Sequence, residues 1–90
     1  MEIIQEEEQV YILNDKQEKI AYVLFPKLDE KTVVIRTTYV SEELRGLRIA
    51  SKLLESTCEV LRKYKRKAIL ECSYAKRWFQ EHKEYEDILK

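Results

Sequence analysis

The chain has 90 residues, enough for one domain with a single hydrophobic core and too few for two. Hydrophobic residues make up 44% of it and charged residues 38%, with one glycine and one proline. This composition excludes both a disordered chain and a turn-rich β-sandwich. Seventeen basic side chains balance seventeen acidic ones, so no overall field attracts nucleic acid or an anionic membrane. We therefore expect one α/β domain over residues 1–90.

Two further features concern the compartment. The segment MEIIQEEEQV lacks the basic and apolar regions of a secretion signal, and no apolar run approaches the roughly 20 residues of a membrane helix. The cysteines, Cys58 and Cys72, are too few for a disulfide framework, and with the single His82 they do not complete a zinc site. We expect a cytoplasmic protein with free thiols, no metal and no membrane contact.

The first half of the chain predicts strands. Gln9–Asp15 alternates and ends in a turn signal, and Glu18–Pro26 is a second strand-like run, so the two predict a hairpin. Lys27–Lys31 is a polar turn. Thr32–Val40 is dense in β-branched residues and has no break, which predicts a third, central strand.

The second half predicts a strand between two helices. Ser41 is a candidate helix N-cap, and from Ile49 apolar positions recur at helical spacing until the basic run Arg62–Lys67. A short apolar strand, Ala68–Tyr74, and an amphipathic segment, Ala75–Leu89, follow. Strand, helix and strand in succession form a βαβ unit with a parallel pair. The prediction is a mixed sheet in the order β-β-β-α-β-α.

The segment LRGLRIA, Leu44–Ala50, lies where the third strand gives way to the long helix. Backbone amides at such a turn point one way, with the positive end of the helix dipole behind them. Gly46 lets a ligand approach the backbone, and Arg45 and Arg48 can pair with phosphate oxygens. The segment predicts an anion site; the alternative is a helix start with two solvated arginines.

Two stretches resemble a known family. Val40–Glu55, VSEELRGLRIASKLLE, resembles the acetyl-CoA pyrophosphate-binding turn of the GNAT superfamily of N-acetyltransferases: Arg or Gln, two variable residues, Gly, one variable residue, then Gly or Ala. Those places fall on Arg45, Gly46 and Leu47, Arg48, Ile49 and Ala50. Ala68–Leu89 resembles the end of a small GNAT-like family, in which a strand ends in Cys-Ser-Tyr or Cys-Ser-Phe before an aromatic helix.

The resemblance implies a minimal GNAT fold that binds acetyl-CoA where the parallel strands diverge, with the reactive residue at Cys72. A thiol there could accept the acetyl group and pass it to an amine, or could only line the pocket. Tyr74 could protonate the leaving CoA thiolate, or be a half-buried aromatic. The implied cofactor-binding residues, of which the last two would reach the remaining phosphate of CoA, are Val40, Arg45, Gly46, Leu47, Arg48, Ile49, Ala50, Lys76 and Arg77.

The chain also departs from the family pattern. Arg48 stands where the signature has glycine, and Thr37-Thr38-Tyr39-Val40 stands where the small family often has His-Thr-Gly-Val. Arg48 is strained if the position needs a positive φ and unstrained if it is already helical; we favour the helical case. Thr37 cannot take a proton, which puts any mechanism needing that histidine in doubt.

The remaining candidates have structural explanations. Cys58 falls on the apolar stripe of the long helix, His82 is expected at the surface, and Glu71 could act as a base only if it faces the cleft. The spacing of the tail aromatics Trp78, Phe79 and Tyr85 favours core packing over an exposed partner site.

Three functions follow from the sequence. The first is an acetyl-CoA-dependent N-acetyltransferase acting on an unidentified amine of a protein, a peptide or a polyamine. The second is a catalytically weak or inactive CoA-binding or protein-interaction module of the same fold. The third, the weakest, is a nucleic-acid binder using Arg62–Lys67, whose charges the helix dipole already explains.

Overall fold

A computed structural model describes residues 2–90, which form seven strands, two α-helices and two 3₁₀-helices. The strands are β1 Ile4–Gln5, β2 Gln9–Leu13, β3 Lys19–Leu24, β4 Lys27–Asp29, β5 Thr32–Ile35, β6 Thr37–Val40 and β7 Lys67–Leu70. The α-helices are α1 Ile49–Tyr64 and α2 Ser73–Glu81, and the 3₁₀-helices are Glu42–Leu44 and Lys83–Ile88. This arrangement confirms the predicted mixed α/β fold, with β1 and β4 added to the predicted strands.

The antiparallel half of the sheet has the strand order β1-β2-β3-β6. The predicted hairpin is β2 and β3, which pair from Gln9 opposite Leu24 to Ile12 opposite Ala21. Its turn is held by Asn14, whose side-chain oxygen accepts hydrogen bonds from the amides of Lys16 (2.8 Å) and Glu18 (3.0 Å). The turn signal in the sequence therefore acts through an asparagine side chain that replaces a backbone acceptor.

The other half has the order β4-β5-β7, and its β5–β7 pair is parallel, with Val33 opposite Ala68 and Ile35 opposite Leu70. This confirms the predicted βαβ unit, since α1 connects the two halves of the chain that supply the pair. The segment Lys27–Lys31, predicted as a turn, contains β4, which pairs antiparallel with β5.

The prediction of one unbroken strand over Thr32–Val40 was wrong. The run is interrupted at Arg36: β5 pairs with β4 and β7, whereas β6 pairs with β3. Two hydrogen bonds cross the bend, from the Arg36 amide to the Leu24 carbonyl (3.0 Å) and from the Val34 amide to the Pro26 carbonyl (2.9 Å). The two halves are thus one bent layer, and the bend separates β6 from β7.

Helix α1 covers one face of this layer. Its apolar stripe includes Leu53, Leu54, Cys58 and Leu61, all fully buried. The prediction that Ser41 caps this helix was wrong, because α1 begins only at Ile49 and Ser41 precedes the 3₁₀-helix Glu42–Leu44 without a side-chain cap bond. Eight residues, Ser41–Arg48, thus separate β6 from α1, and they shape the wall of the site described below.

The C-terminal part of the chain closes the core. The fourth predicted strand, Ala68–Tyr74, ends at Leu70, so Tyr74 lies in the first turn of α2 and Cys72 is the N-cap of that helix. The predicted amphipathic helix ends at Glu81 and continues as the 3₁₀-helix Lys83–Ile88. Trp78 and Phe79 are each 2% exposed, which confirms their role in the core.

His82 differs from its predicted place at the surface. Its ring stacks on that of Trp78, with centroids 4.1 Å apart, and its Nδ1 lies 2.8 Å from the Trp78 carbonyl oxygen. The Trp78 indole N–H in turn donates to the Ser51 hydroxyl of α1 at 2.8 Å. His82 is therefore a half-buried packing residue that helps to hold α2 against α1.

Candidate active site

A pocket of about 330 Å³ lies between the end of β6 and the start of α1. Leu44 of the 3₁₀-helix and Val40 of β6 provide apolar walls, and the turn that leads into α1 provides the rest. The full lining is Val40, Leu44, Arg45, Gly46, Arg48, Ile49, Ala50 and Tyr74. The pocket therefore combines apolar walls with two arginines at a helix N-terminus.

The turn itself contains two left-handed residues. Gly46 has φ +86°, and a Cβ added there would meet nothing within 4 Å, so the backbone conformation rather than lack of space calls for glycine. Arg48 has φ 62° and ψ 25°, which is also left-handed. The expectation that Arg48 is already helical was wrong: it is the N-cap of α1, one residue before the helix begins, and its side chain makes its backbone conformation unfavourable.

The N-terminus of α1 is open to a ligand. Among residues 2–90, no side chain makes a cap hydrogen bond there, and the first helical bond runs from the Lys52 amide to the Arg48 carbonyl (3.2 Å). The amides of Ile49 and Ala50 precede that bond and so have no partner within the helix. These donors, the dipole of a 16-residue helix and the nearby guanidinium groups all favour an anion.

Arg45 ties the turn to the strand that precedes it. Its Nε donates to the Val40 carbonyl oxygen at 3.2 Å, across the 3₁₀-helix. This bond uses one of the five guanidinium N–H donors, so the others remain for a ligand. Arg45 thus contributes both to the shape of the turn and to its positive charge.

Cys72 lies across from β6, in the space between Thr37–Val40 of β6 and the segment Leu70–Tyr74, which we call the cleft. Its sulfur is 3.4 Å from the Thr38 hydroxyl oxygen, and its amide donates to the Ile35 carbonyl at 3.2 Å. Partial burial would raise the pKa of this thiol, but the Thr38 hydroxyl and the nearby amides of Ala75, Tyr74 and Thr38 outweigh it, so the pKa is lowered.

Thr38 is a functional candidate that the sequence prediction missed, since it considered Thr37 instead. Strand alternation could have found it, because Thr38 and Val40 are two residues apart and share a face, and Val40 lines the pocket. Thr37 belongs to the other face, opposite Leu24 of β3.

Tyr74 joins the cleft to the pocket, because it follows Cys72 by two residues and lines the pocket itself. Burial raises the pKa of its phenol, an effect that the Arg77 guanidinium partly opposes. The Arg77 guanidinium carbon lies 5.6 Å from the centre of the Tyr74 ring. At neutral pH the phenol therefore keeps its proton and can donate it.

Comparison with known proteins now identifies the chain. The model of the GCN5-related N-acetyl-transferase family matches residues 9–88. The chain belongs to this family. No protein of curated function matches its sequence.

Solved structures similar to this chain agree with its assignment to the family. A GCN5-like protein from Staphylococcus aureus, solved by NMR, is 32% identical; the match covers 99% of this chain and 87% of that one, with a TM-score of 0.79. A Mycobacterium tuberculosis protein in complex with CoA is 15% identical and has a TM-score of 0.66 over 84% of this chain. A GNAT-family acetyltransferase from Elizabethkingia anophelis with acetyl-CoA bound is 15% identical, with a TM-score of 0.63 over 83%.

The last two comparisons show the fold alone, and the GCN5-related chain spans about half of those larger proteins, 47% and 51% of their lengths. No helix within residues 2–90 has the length and apolar character to cross a membrane. The same residues contain no group of three or more His, Cys, Asp or Glu side chains that could hold a metal ion.

Of the site residues predicted from the sequence, most line this pocket and the others lie elsewhere. Seven line the pocket: Val40, Arg45, Gly46, Arg48, Ile49, Ala50 and Tyr74. Leu47 does not line it and is 55% exposed. Lys76 borders a different depression, between α2 and the chain end, with Leu70 and Phe79. Glu71 is ion-paired with Arg36 at 3.2 Å on the surface, which leaves no base in the cleft at that position.

Proposed function

We propose that this chain is an acetyl-CoA-dependent N-acetyltransferase that transfers the acetyl group to an amine. The observation that carries the proposal is the pocket at the start of α1, where open helix amides and two arginines meet the side chain of Tyr74. Family membership and the CoA-bound relatives named above support the choice of ligand.

The residues of the pocket fit a diphosphate. The amides of Ile49 and Ala50 would donate to its oxygens, and Arg45 and Arg48 would neutralise its charge. Val40 and Leu44 would contact the apolar part of the CoA arm. Arg77, whose guanidinium lies over the Tyr74 ring, would be the candidate to contact the remaining phosphate, whereas Lys76 borders another depression.

Two routes of acetyl transfer are compatible with the cleft. In the direct route, a neutral amine nitrogen attacks the thioester carbonyl carbon and the carbon–sulfur bond breaks; the CoA sulfur takes a proton from Tyr74, and the amine proton passes to the Tyr74 phenolate, directly or through water. In the two-step route, the Cys72 thiolate attacks that carbon and displaces CoA thiolate; the amine then attacks the acetyl group on Cys72, releases the Cys72 thiolate and loses its proton to water. The lowered pKa of Cys72 increases the fraction of thiolate, which is the form that the second route requires.

Tyr74 would serve either route as an acid. The departing CoA sulfur carries negative charge until it gains a proton, and a phenol that is still protonated at neutral pH can supply one. Tyr74 lines the same pocket as Arg48, so in a CoA complex it would lie between the diphosphate and the acetyl group.

Calorimetry with CoA and acetyl-CoA tests the proposal directly. We expect both to bind, and no binding at millimolar ligand would overturn it. Intact-protein mass spectrometry after incubation with acetyl-CoA then divides the two routes. An added acetyl group that is lost in Cys72→Ala and kept in Cys58→Ala supports the two-step route, and Cys58 is a sound control because it is fully buried.

The second candidate function is a CoA-binding or interaction module without efficient turnover. Two departures from the family pattern favour it. Arg48 has a left-handed backbone, and position 37 is a threonine that lies on the face of β6 opposite to that of Thr38. Tight CoA binding with no product from a panel of protein, peptide and polyamine amines would support the module. Acetylation of any amine in that panel, dependent on Tyr74 or Cys72, would support the enzyme.

A further inference from the structure

The Cys72 thiol and the Thr38 hydroxyl are brought together from positions 34 residues apart in the chain. We propose that Thr38 is a positioning residue, whose hydroxyl fixes the Cys72 sulfur in the cleft and stabilises its thiolate form. The catalytic value of this contact rests on the proposed function, because it requires that Cys72 serve acetyl transfer. The contact itself can be tested without CoA or an acceptor.

Both partners have fixed backbones. Thr38 is held by the β3–β6 pairing, opposite Val23. The Ile35 carbonyl accepts hydrogen bonds from the amides of Glu71 (3.0 Å) and Cys72 (3.2 Å), at the point where β7 ends. The separation of 3.4 Å between the Cys72 sulfur and the Thr38 oxygen is therefore set by the sheet and does not depend on flexible loops.

The hydrogen bond can reverse with the charge of the sulfur. In the thiol form, the Cys72 S–H donates to the Thr38 oxygen. When the thiol proton passes to water, the Thr38 hydroxyl rotates and donates to the negative sulfur. Because a charge-assisted hydrogen bond is stronger than a neutral one, the contact favours the thiolate.

The side chains of Tyr74 and Glu71, next to Cys72, do not duplicate this effect. Tyr74, in the first turn of α2, has a raised pKa and stays neutral near pH 7. Glu71 is next to Cys72 in the chain but is ion-paired with Arg36. The backbone amides of Ala75 and Tyr74 also lower the pKa of the thiol, but they are present in every Thr38 variant, so a difference between variants reports the Thr38 hydroxyl.

The chain supplies matched variants for the test. Thr38→Val removes the hydroxyl and keeps the shape, and Thr38→Ser keeps the hydroxyl and removes the methyl. Thr37→Val makes the same change one residue away, on the other face of β6, where Thr37 lies opposite Leu24 and does not contact Cys72. Thr38→Ala and Thr38→Ser form a second pair that differs only by the hydroxyl, which serves if Thr38→Val does not fold.

The measurement is the rate of iodoacetamide alkylation of Cys72 as a function of pH, followed by intact mass. Cys58 does not interfere, because burial raises the pKa of its thiol to about 12 and the side chain is fully buried. We expect Thr38→Val to react about three to ten times more slowly than the unmodified chain at pH 7, with the profile displaced to higher pH. Thr38→Ser and Thr37→Val should keep the original profile.

The proposal is overturned if folded Thr38→Val keeps the original profile, if Thr38→Ser loses it, or if Thr37→Val shifts as far as Thr38→Val. These outcomes do not depend on acetyl transfer. A chain that binds no CoA but shows the expected alkylation series would refute the proposed function and leave the Thr38 contact standing.

Discussion

Arg48→Gly should stabilise this protein, although it removes a long side chain from a helix N-terminus. Arg48 has φ 62°, and a residue with a Cβ in the left-handed region costs roughly 1–2 kcal/mol. Glycine removes that cost, but it also adds conformational freedom to the unfolded chain, and this lowers the free energy of unfolding by roughly 0.5–1 kcal/mol. The net expectation is a gain of about 0.5–1 kcal/mol in the free energy of unfolding.

The assay is thermal unfolding followed by circular dichroism. For a domain of this size, a gain of that order raises Tm by about 2–8 °C. Arg48→Ala is the control for charge, because alanine removes the guanidinium but keeps the Cβ and so should give no increase. Lys65→Gly is the control for position: Lys65 has φ 59° at the other end of α1, far from the pocket, and should give a similar increase.

A Tm of Arg48→Gly equal to or below that of Arg48→Ala would refute the reasoning about backbone strain. The same variants also address the ligand. If Arg48 pairs with a diphosphate, Arg48→Ala should bind CoA about three to ten times more weakly at low ionic strength, with a smaller loss at high salt. Tighter binding by Arg48→Ala would mean that the arginine obstructs the pocket.

Three further changes test other parts of the structure. Tyr74→Phe should lower kcat by about 100-fold with little change in acetyl-CoA affinity, measured in a coupled thiol-release assay, because the ring stays and the proton donor goes. Trp78→Phe should lower the free energy of unfolding by about 1–3 kcal/mol in urea titrations, since it loses the bond to Ser51 and leaves a void. Glu7 has a lowered pKa, chiefly from its hydrogen bond with Arg66, so its stabilising effect is present at neutral pH and is lost as pH falls below about 4.5. In Glu7→Gln the Tm at neutral pH should therefore fall, and the acid-dependent loss of Tm should become shallower.

Local sequence patterns indicated which residues line the candidate pocket, but not the backbone conformation of those residues. The segment Arg45–Ala50 lines the pocket as expected except for Leu47, because a glycine-containing turn before an amphipathic helix places its residues at the helix N-terminus in almost any fold. The conformation of Arg48 could not be read in the same way. A serine followed by acidic residues at Ser41 indicated where a helix starts, and that signal belonged to the short 3₁₀-helix instead.

The sequence also could not predict which residues contact each other across the sheet. Cys72 was predicted at the end of a strand, and it is the cap of a helix, because the β7 pairing stops at Leu70. Its contact with Thr38 can be predicted only if one knows which strand lies across the cleft, because the two residues are 34 positions apart in the sequence. Alternation within a strand gives the face of a residue, but the partner on that face comes from the topology.

The break at Arg36 connects these observations to the cleft, and it faces Pro26, which lies between β3 and β4. Pro26 has no amide hydrogen, so it accepts a bond from the Val34 amide but returns none. The ladder between the β3–β4 and β5–β6 segments is therefore weakest at the residues where the chain bends. Beyond the bend, β6 stays with β3, while the Ile35 carbonyl takes both the Glu71 and the Cys72 amides and ends the pairing of β7. A run of β-branched residues cannot signal such a bend by itself, because the proline that weakens the hydrogen bonding lies in the connection between β3 and β4. The two segments together account for the opening of this small sheet beside Thr38 and Cys72.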